Sequence, residues 1–217
     1  TPYAKELLEG YRLGRPVVAV SNGIDLDFFK RSEEDAALFR ERFHLSEADK
    51  VVIAVGLLIE RKGILDFVEL ARRLPGYRFI WFGYTNLNTV PARVRAAVET
   101  RLDNLQFAGY VPPEVLKQAY SGSDLLLFPT YEETEGIVLL EALAMKLPVL
   151  VRDIPIYRKW LSDGINVYKA SDIDGFESKI TAILEKEVPS LVEAGYKVAE
   201  ERDLRIIGQQ LAEHYIL

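Results

Sequence analysis

Residues 124–143 read DLLLFPTYEETEGIVLLEAL, and this run decides the fold. Leu125, Leu126, Leu127 and Phe128 are apolar without alternation, the pattern of a strand buried on both faces. Pro129 and Thr130 close that strand, an acidic loop follows, and Gly136 opens an apolar stretch that reads as a helix over 136–146. Buried strand, loop and helix in that order make one unit of a parallel sheet covered by helices.

The same unit recurs on both sides. Strands are expected at 16–20, 50–56, 77–83, 105–109, 124–130, 148–151 and 166–170, and helices at 33–43, 64–73, 91–101, 114–122, 136–146 and 156–162. Beyond Ala170 only helical patterns remain, at 176–186, 188–201 and 204–216, which read as a C-terminal helical cap. Residues 21–35, rich in turn residues and acids, read as a connector, so the compact unit is expected at about 48–172. The fold class is α/β: a Rossmann-like parallel sheet with helices on both faces.

Composition narrows the function. The chain has 217 residues, 49% of them hydrophobic, which supports an ordinary globular core. A formal net charge of -6 and a pI near 5.2 argue against nucleic acid as a principal partner, since that binding is driven by neutralising phosphates. With no cysteine there is neither a disulfide framework nor a thiolate metal site, and the cytoplasm is the default compartment. No run approaches the ~18 apolar residues of a membrane span. The opening residues TPYAKELLEGYRL look like a polar amphipathic helix and not a signal peptide, and a start at Thr1 leads us to expect a fragment.

Acidic side chains at a helix start offset the positive end of its dipole, which accounts for Glu132, Glu133 and Glu135. Glu141 is different. It falls among Ile137, Val138, Leu139, Leu140, Ala142 and Leu143, where a lone carboxylate loses more in desolvation than it gains, so it needs a partner. Ligands of open α/β sheets bind at the carboxyl ends of strands, so the loops after strands carry the information. In VGLLIERKGILDF (55–67), Glu60, Arg61 and Lys62 precede Gly63 at a helix start. Cations there suit a phosphate, and a solvated loop with a turn glycine is the equal alternative. FGYTNLN (82–88) reads as an ordinary strand-to-helix loop, with pocket lining as the alternative. At Gly136 the backbone is open to a ligand, and the N–H groups of Gly136, Ile137 and Val138 suit an anion. Glu141, more than one turn further on, suits a vicinal diol. Phosphates plus sugar hydroxyls describe a sugar nucleotide.

These stretches together resemble the retaining glycosyltransferases of the two-domain GT-B fold, family four. ETEGIVLLE matches that family's E-x7-E motif with Glu133 and Glu141, and EALAMKLPV follows as it does there. VSNGIDLDFF resembles the interdomain linker, VGLLIERKG the phosphate loop, and FAGYVPPEVLKQAYSGSDLLLFPT the strand, helix and strand before the motif. The match covers most of the chain in the expected order. The resemblance implies that Glu141 binds ribose hydroxyls, that Glu133 meets donor-sugar hydroxyls near the reacting carbon, and that Gly136, Ile137 and Val138 hold diphosphate and sugar by backbone N–H. It makes Lys62 the diphosphate lysine and adds Glu135, Gly56 and Tyr110 to the donor contacts. Leu57 stands where the family usually has Arg, and Arg61 is expected to supply the missing cation. No metal is required.

YEETEGIVLLEAL, with Glu135 where many members carry Phe, together with FIWFGY and VRDIPIY, is similar to bacterial diacylglycerol glycosyltransferases. That implies UDP-glucose or UDP-galactose as donor, a lipid acceptor such as diacylglycerol reached through an N-terminal domain, and peripheral contact with the inner face of the cell membrane. It also implies a division into 1–30 (end of the N-terminal domain and linker), 31–203 (nucleotide-sugar-binding domain) and 204–217 (crossover helix). Transfer by this chain alone is expected to be weak or absent. The alternatives are a non-catalytic nucleotide-sugar-binding domain, a polysaccharide or other small acceptor, and a structural module whose acids only cap a helix.

Several patterns read as ordinary structure. Asp25-Leu26-Asp27 and Asp172-Ile173-Asp174 spell the D-x-D of metal-dependent transferases, yet they suit a turn and a helix cap better. His44 and His214 lack ligand spacing, and no G-x-G-x-x-G occurs. Arg93, Arg95 and Arg101 suit a solvated helix face, with anionic lipid as the alternative.

Overall fold

The computed structural model describes residues 1–11 and 14–215. Six short, mostly apolar runs become strands β1 (Val51–Val55), β2 (Arg78–Phe82), β3 (Leu105–Gly109), β4 (Leu125–Phe128), β5 (Val149–Arg152) and β6 (Tyr168–Ala170). They pair in parallel in the spatial order β3-β2-β1-β4-β5-β6. The α-helices among the described residues are α1 (Pro2–Gly10), α2 (Glu33–Arg42), α3 (Ile64–Arg73), α4 (Ala92–Val98), α5 (Pro113–Gly122), α6 (Ile137–Ala144), α7 (Ile173–Leu184), α8 (Val192–Glu200) and α9 (Leu204–Tyr215).

Strand residues alternate between two cores. Val51, Ile53, Ile80, Phe82, Leu126 and Phe128 pack with residues of α2, α5, α6 and α8. Val52, Ala54, Phe79, Trp81, Leu125 and Leu127 pack on the other face with residues of α3, α4 and α7. Both faces of β1, β2 and β4 are thus removed from water, which is why their sequences show no polar alternation. At roughly 25 cal/mol per Å² of apolar area, these two cores are the main source of stability.

Three expectations need correction. Residues 16–20 take no regular secondary structure and lie outside the sheet, with Val18 exposed. The chain then passes Ile24 alongside Asp203, where Ile24 N donates to Arg202 O (2.8 Å) and Leu204 N to Ile24 O (3.0 Å). The segment 156–162 forms only a 3-10 turn at Pro155–Tyr157. The Asn166 amide takes the backbone groups a helix would use, accepting from Ser162 N (2.8 Å) and donating to Trp160 O (3.2 Å). Finally, α7 and α8 are flanking layers and not a cap: Phe176 and Ile180 of α7 lie in one core, Val198 and Ala199 of α8 in the other.

Candidate functional site

The strand order reverses between β1 and β4, which opens a crevice at their carboxyl ends. The loops leaving these strands meet there. Tyr131 N donates to Arg61 O (2.9 Å), and Arg61 Nη1 donates to Glu132 O (2.7 Å). Gly63, at φ +80°, lies so close to β4 that a Cβ would stand 2.5 Å from Pro129 O. The loop after β2 joins them, since Leu58 N donates to Thr85 Oγ1 (2.9 Å) and Trp81 Nε1 to Gly56 O (2.8 Å).

Into this crevice the sequence delivers Lys62 and Glu133 as an ion pair, with side chains only 14% and 10% exposed. The Lys62 ammonium also stands 5.3 Å from the centroid of the Phe128 ring, and Glu133 Oε1 accepts from Thr134 N (2.9 Å). Gly136, at φ +84°, starts α6 with no side-chain cap, so the first-turn amides at Ile137 and Val138 are not claimed by one.

The partner that Glu141 needs is Tyr120. Its hydroxyl donates to Glu141 Oε2 at 2.6 Å, and the tyrosine is fully buried. Burial pushes the Glu141 carboxyl up from its ordinary value of 4.5, and the bond from Tyr120 pulls the other way. Burial and then the Glu141 charge push the Tyr120 hydroxyl well up. Among the described residues only Tyr120 bonds this carboxylate, which leaves Oε1 free.

Glu135, expected at the donor, is turned to the connector. Its Oε1 accepts from Ser21 Oγ, and its Oε2 accepts from Asn22 N (2.9 Å) and Asn22 Nδ2. Arg61 spends a donor on the loop carbonyl of Glu132 and lines a shallow cavity with Glu60, Leu65, Asp66 and Tyr131. Gly56 closes β1 beneath the Lys62 side chain, to which a Cβ would come within 3.5 Å. Tyr110 follows the edge strand β3 and is 81% exposed.

Sequence reasoning missed Arg152. Its buried guanidinium donates to Pro129 O (3.1 Å) and Ser171 O (2.7 Å), pairs with Asp66, and stacks 3.9 Å from the centroid of the Tyr131 ring. Tyr131 in turn donates to Asp66 Oδ2 (2.8 Å). An arginine ending the apolar run VLVR was the available signal. Tyr157 was missed as well: its hydroxyl is buried without a partner, and burial and the charge of Glu133 both push it up.

The remaining patterns serve local structure. Asp25 Oδ1 accepts from Asp27 N and Phe28 N (3.0 Å each), and Asp172 caps α7 by accepting from Gly175 N (2.8 Å). Arg93 pairs with Glu60, and Arg95 Nε donates to Leu87 O (3.1 Å), so those two cations are engaged within the fold. Among the described residues no helix is long and apolar enough to cross a membrane, and no group of three His, Cys, Asp or Glu is placed to hold a metal ion.

Comparison with known proteins agrees with this architecture. A processive diacylglycerol alpha-glucosyltransferase of Acholeplasma laidlawii is 44% identical over 99% of this chain. An alpha-galactosylglucosyldiacylglycerol synthase of Streptococcus pneumoniae is 30% identical over 85% of it. The matches span 65% of the first relative's length and 48% of the second's. A solved glycosyltransferase from Rickettsia africae superposes with a TM-score of 0.85 over 99% of this chain and 61% of its own, at 18% identity. Anabaena HepE, solved in complex with UDP-glucose, superposes at 0.80 over 90% of this chain and 56% of its own, at 21% identity. Both likenesses are of fold, the Rossmann-like parallel sheet of GT-B glycosyltransferases. The family described as glycosyl transferases group 1 matches residues 35–201, the whole sheet and most of its helices, and the chain belongs to that family.

Proposed function

We propose that this chain is the donor-binding part of a retaining glycosyltransferase that moves a hexose from a UDP-sugar, UDP-glucose or UDP-galactose, to a lipid acceptor such as diacylglycerol or glucosyl diacylglycerol. The observation that carries the reading is Glu141: a carboxylate held against its own desolvation, bonded at one oxygen by Tyr120 and at the other by no described residue, on the helix whose uncapped start follows the loop that pairs with Lys62. Ribose hydroxyls donate well to such an oxygen. The diphosphate takes Lys62 and the amides of Gly136, Ile137 and Val138, which stabilise the negative charge that grows on UDP as the bond from the anomeric carbon to the phosphate oxygen breaks. Glu133 meets the sugar hydroxyls near that carbon. The acceptor hydroxyl attacks on the face the leaving group vacates and passes its proton to the departing phosphate oxygen, and the configuration is kept. The scheme assigns no step to a metal.

The acceptor reading is supported by the 44% identity to a diacylglycerol glucosyltransferase. In this reading the lipid is presented by parts of the whole protein outside this chain, at the inner face of a membrane. The test is transfer of radiolabelled glucose from UDP-glucose to diacylglycerol in mixed vesicles by the full-length protein. Labelled glycolipid from wild type and a loss of at least about 100-fold in Lys62→Met are expected. Labelling of a water-soluble acceptor alone contradicts the lipid assignment.

A further inference from the structure

The connector begins with a set of donors that all converge on one residue of the donor loop. Ser21 Oγ, Asn22 N and Asn22 Nδ2 donate to the carboxylate of Glu135, which is only 7% exposed. No group of the loop's own bonds it, so a departing connector would leave a desolvated carboxylate without donors. Glu135 immediately precedes Gly136, whose left-handed backbone starts α6, and lies two residues after Glu133. On the other side the connector is fixed at Ile24 to the turn between α8 and α9 through Arg202 O and Leu204 N. Between the two attachments lies a cavity of about 200 Å³ lined by Ser21, Glu135, Trp160, Glu201, Arg202 and Ile207, and beyond Ile24 the connector packs on the core through Leu26 and Phe29.

We propose that Glu135 is a positioning residue that ties the connector at Ser21 and Asn22 to the N-terminus of α6, so that donor binding at that helix and the placement of everything preceding residue 21 are linked. The proposal rests on the donor site assigned above. Linkage of this kind is reciprocal: whatever the nucleotide does to the connector, a shift of the connector does to nucleotide affinity.

The test is hydrogen exchange at the Asn22 amide, followed by NMR in this chain with and without UDP, in wild type, Glu135→Ala and Glu135→Gln. The Ile53 amide of β1 serves as an internal reference for folding. Removing the charged acceptor should speed Asn22 exchange by about tenfold or more in Glu135→Ala while Ile53 is unchanged. If the alanine variant does not fold, Glu135→Gln, which keeps one acceptor oxygen, carries the comparison. UDP should change Asn22 protection in wild type and not in the variants. Asn22 exchange that is insensitive to the substitution, or to bound UDP in wild type, overturns the proposal and leaves the donor site standing. Absence of any UDP binding overturns the donor site itself, and the linkage with it.

Discussion

Replacing Tyr120 with Phe removes one oxygen and nothing else from a fully buried ring, and so isolates the bond that holds Glu141. At 2.6 Å to a carboxyl oxygen this is a short bond, and with Glu141 in its ionised form it is charge-assisted and of the kind worth about 1.5–3 kcal/mol. For a chain of this size each kcal/mol moves Tm by roughly 2–4 °C, so a fall of about 3–12 °C is expected near neutral pH. The loss should depend on pH. Burial raises the folded pKa of Glu141 above 4.5, so folding binds a proton between those values. The carboxyl therefore contributes stability that is fully present below its unfolded pKa and lost as pH rises through its folded pKa. Removing Tyr120's hydroxyl takes away the interaction that pulls the folded pKa down, so the variant loses more above that pKa than below it. Thermal melts of both proteins at about pH 4 and near neutral pH make the comparison. An equal loss at the two pH values, or none, refutes the argument that Tyr120 acts by holding an ionised Glu141.

Other perturbations separate the roles of neighbouring groups. Glu133→Gln frees Lys62 from its ion pair and should tighten UDP binding about threefold to tenfold, whereas Lys62→Met should weaken it; calorimetry reads both, and a weakening in both would contradict competition for the lysine. Gly63→Ala places a Cβ 2.5 Å from Pro129 O on a left-handed backbone and should cost more than about 2 kcal/mol in denaturant unfolding; a neutral effect would mean the loops yield freely. Arg152→Met leaves Asp66 and two backbone carbonyls without their cation and should cost about 3–5 kcal/mol, with Arg152→Lys recovering part of it; wild-type stability in the Met variant would show that the brace is not needed.

The fold was legible where burial dictates composition. Runs such as VVIAV and LLLF announce strands covered on both sides, and six of the expected strands entered the sheet in the order of their crossovers. Residues 16–20 have the same composition, but a local pattern does not say whether tertiary structure brings a segment to a sheet edge, and here these residues pair with no strand. The segment 156–162 misled for a related reason, because the Asn166 amide that breaks it up lies beyond the apparent helix. At the site, Glu141 was legible as an anomaly of charge among apolar residues, but its partner lies on a different helix that only tertiary structure brings near. Glu135 and Arg61 were assigned by position in a motif. Their side chains are engaged by the connector and by the loop, contacts that no spacing in the sequence encodes.

Calorimetric titration of UDP into this chain and into Glu141→Ala tests the central claim most directly, with a thermal melt to establish that the variant is folded. Losing two hydrogen bonds from ribose hydroxyls to a charged acceptor corresponds to roughly a 100-fold weaker complex or more. Tight binding by wild type with that loss in the variant is the predicted result. Equal affinity in the two proteins would mean that the Glu141 carboxylate faces no nucleotide and that the donor site lies elsewhere.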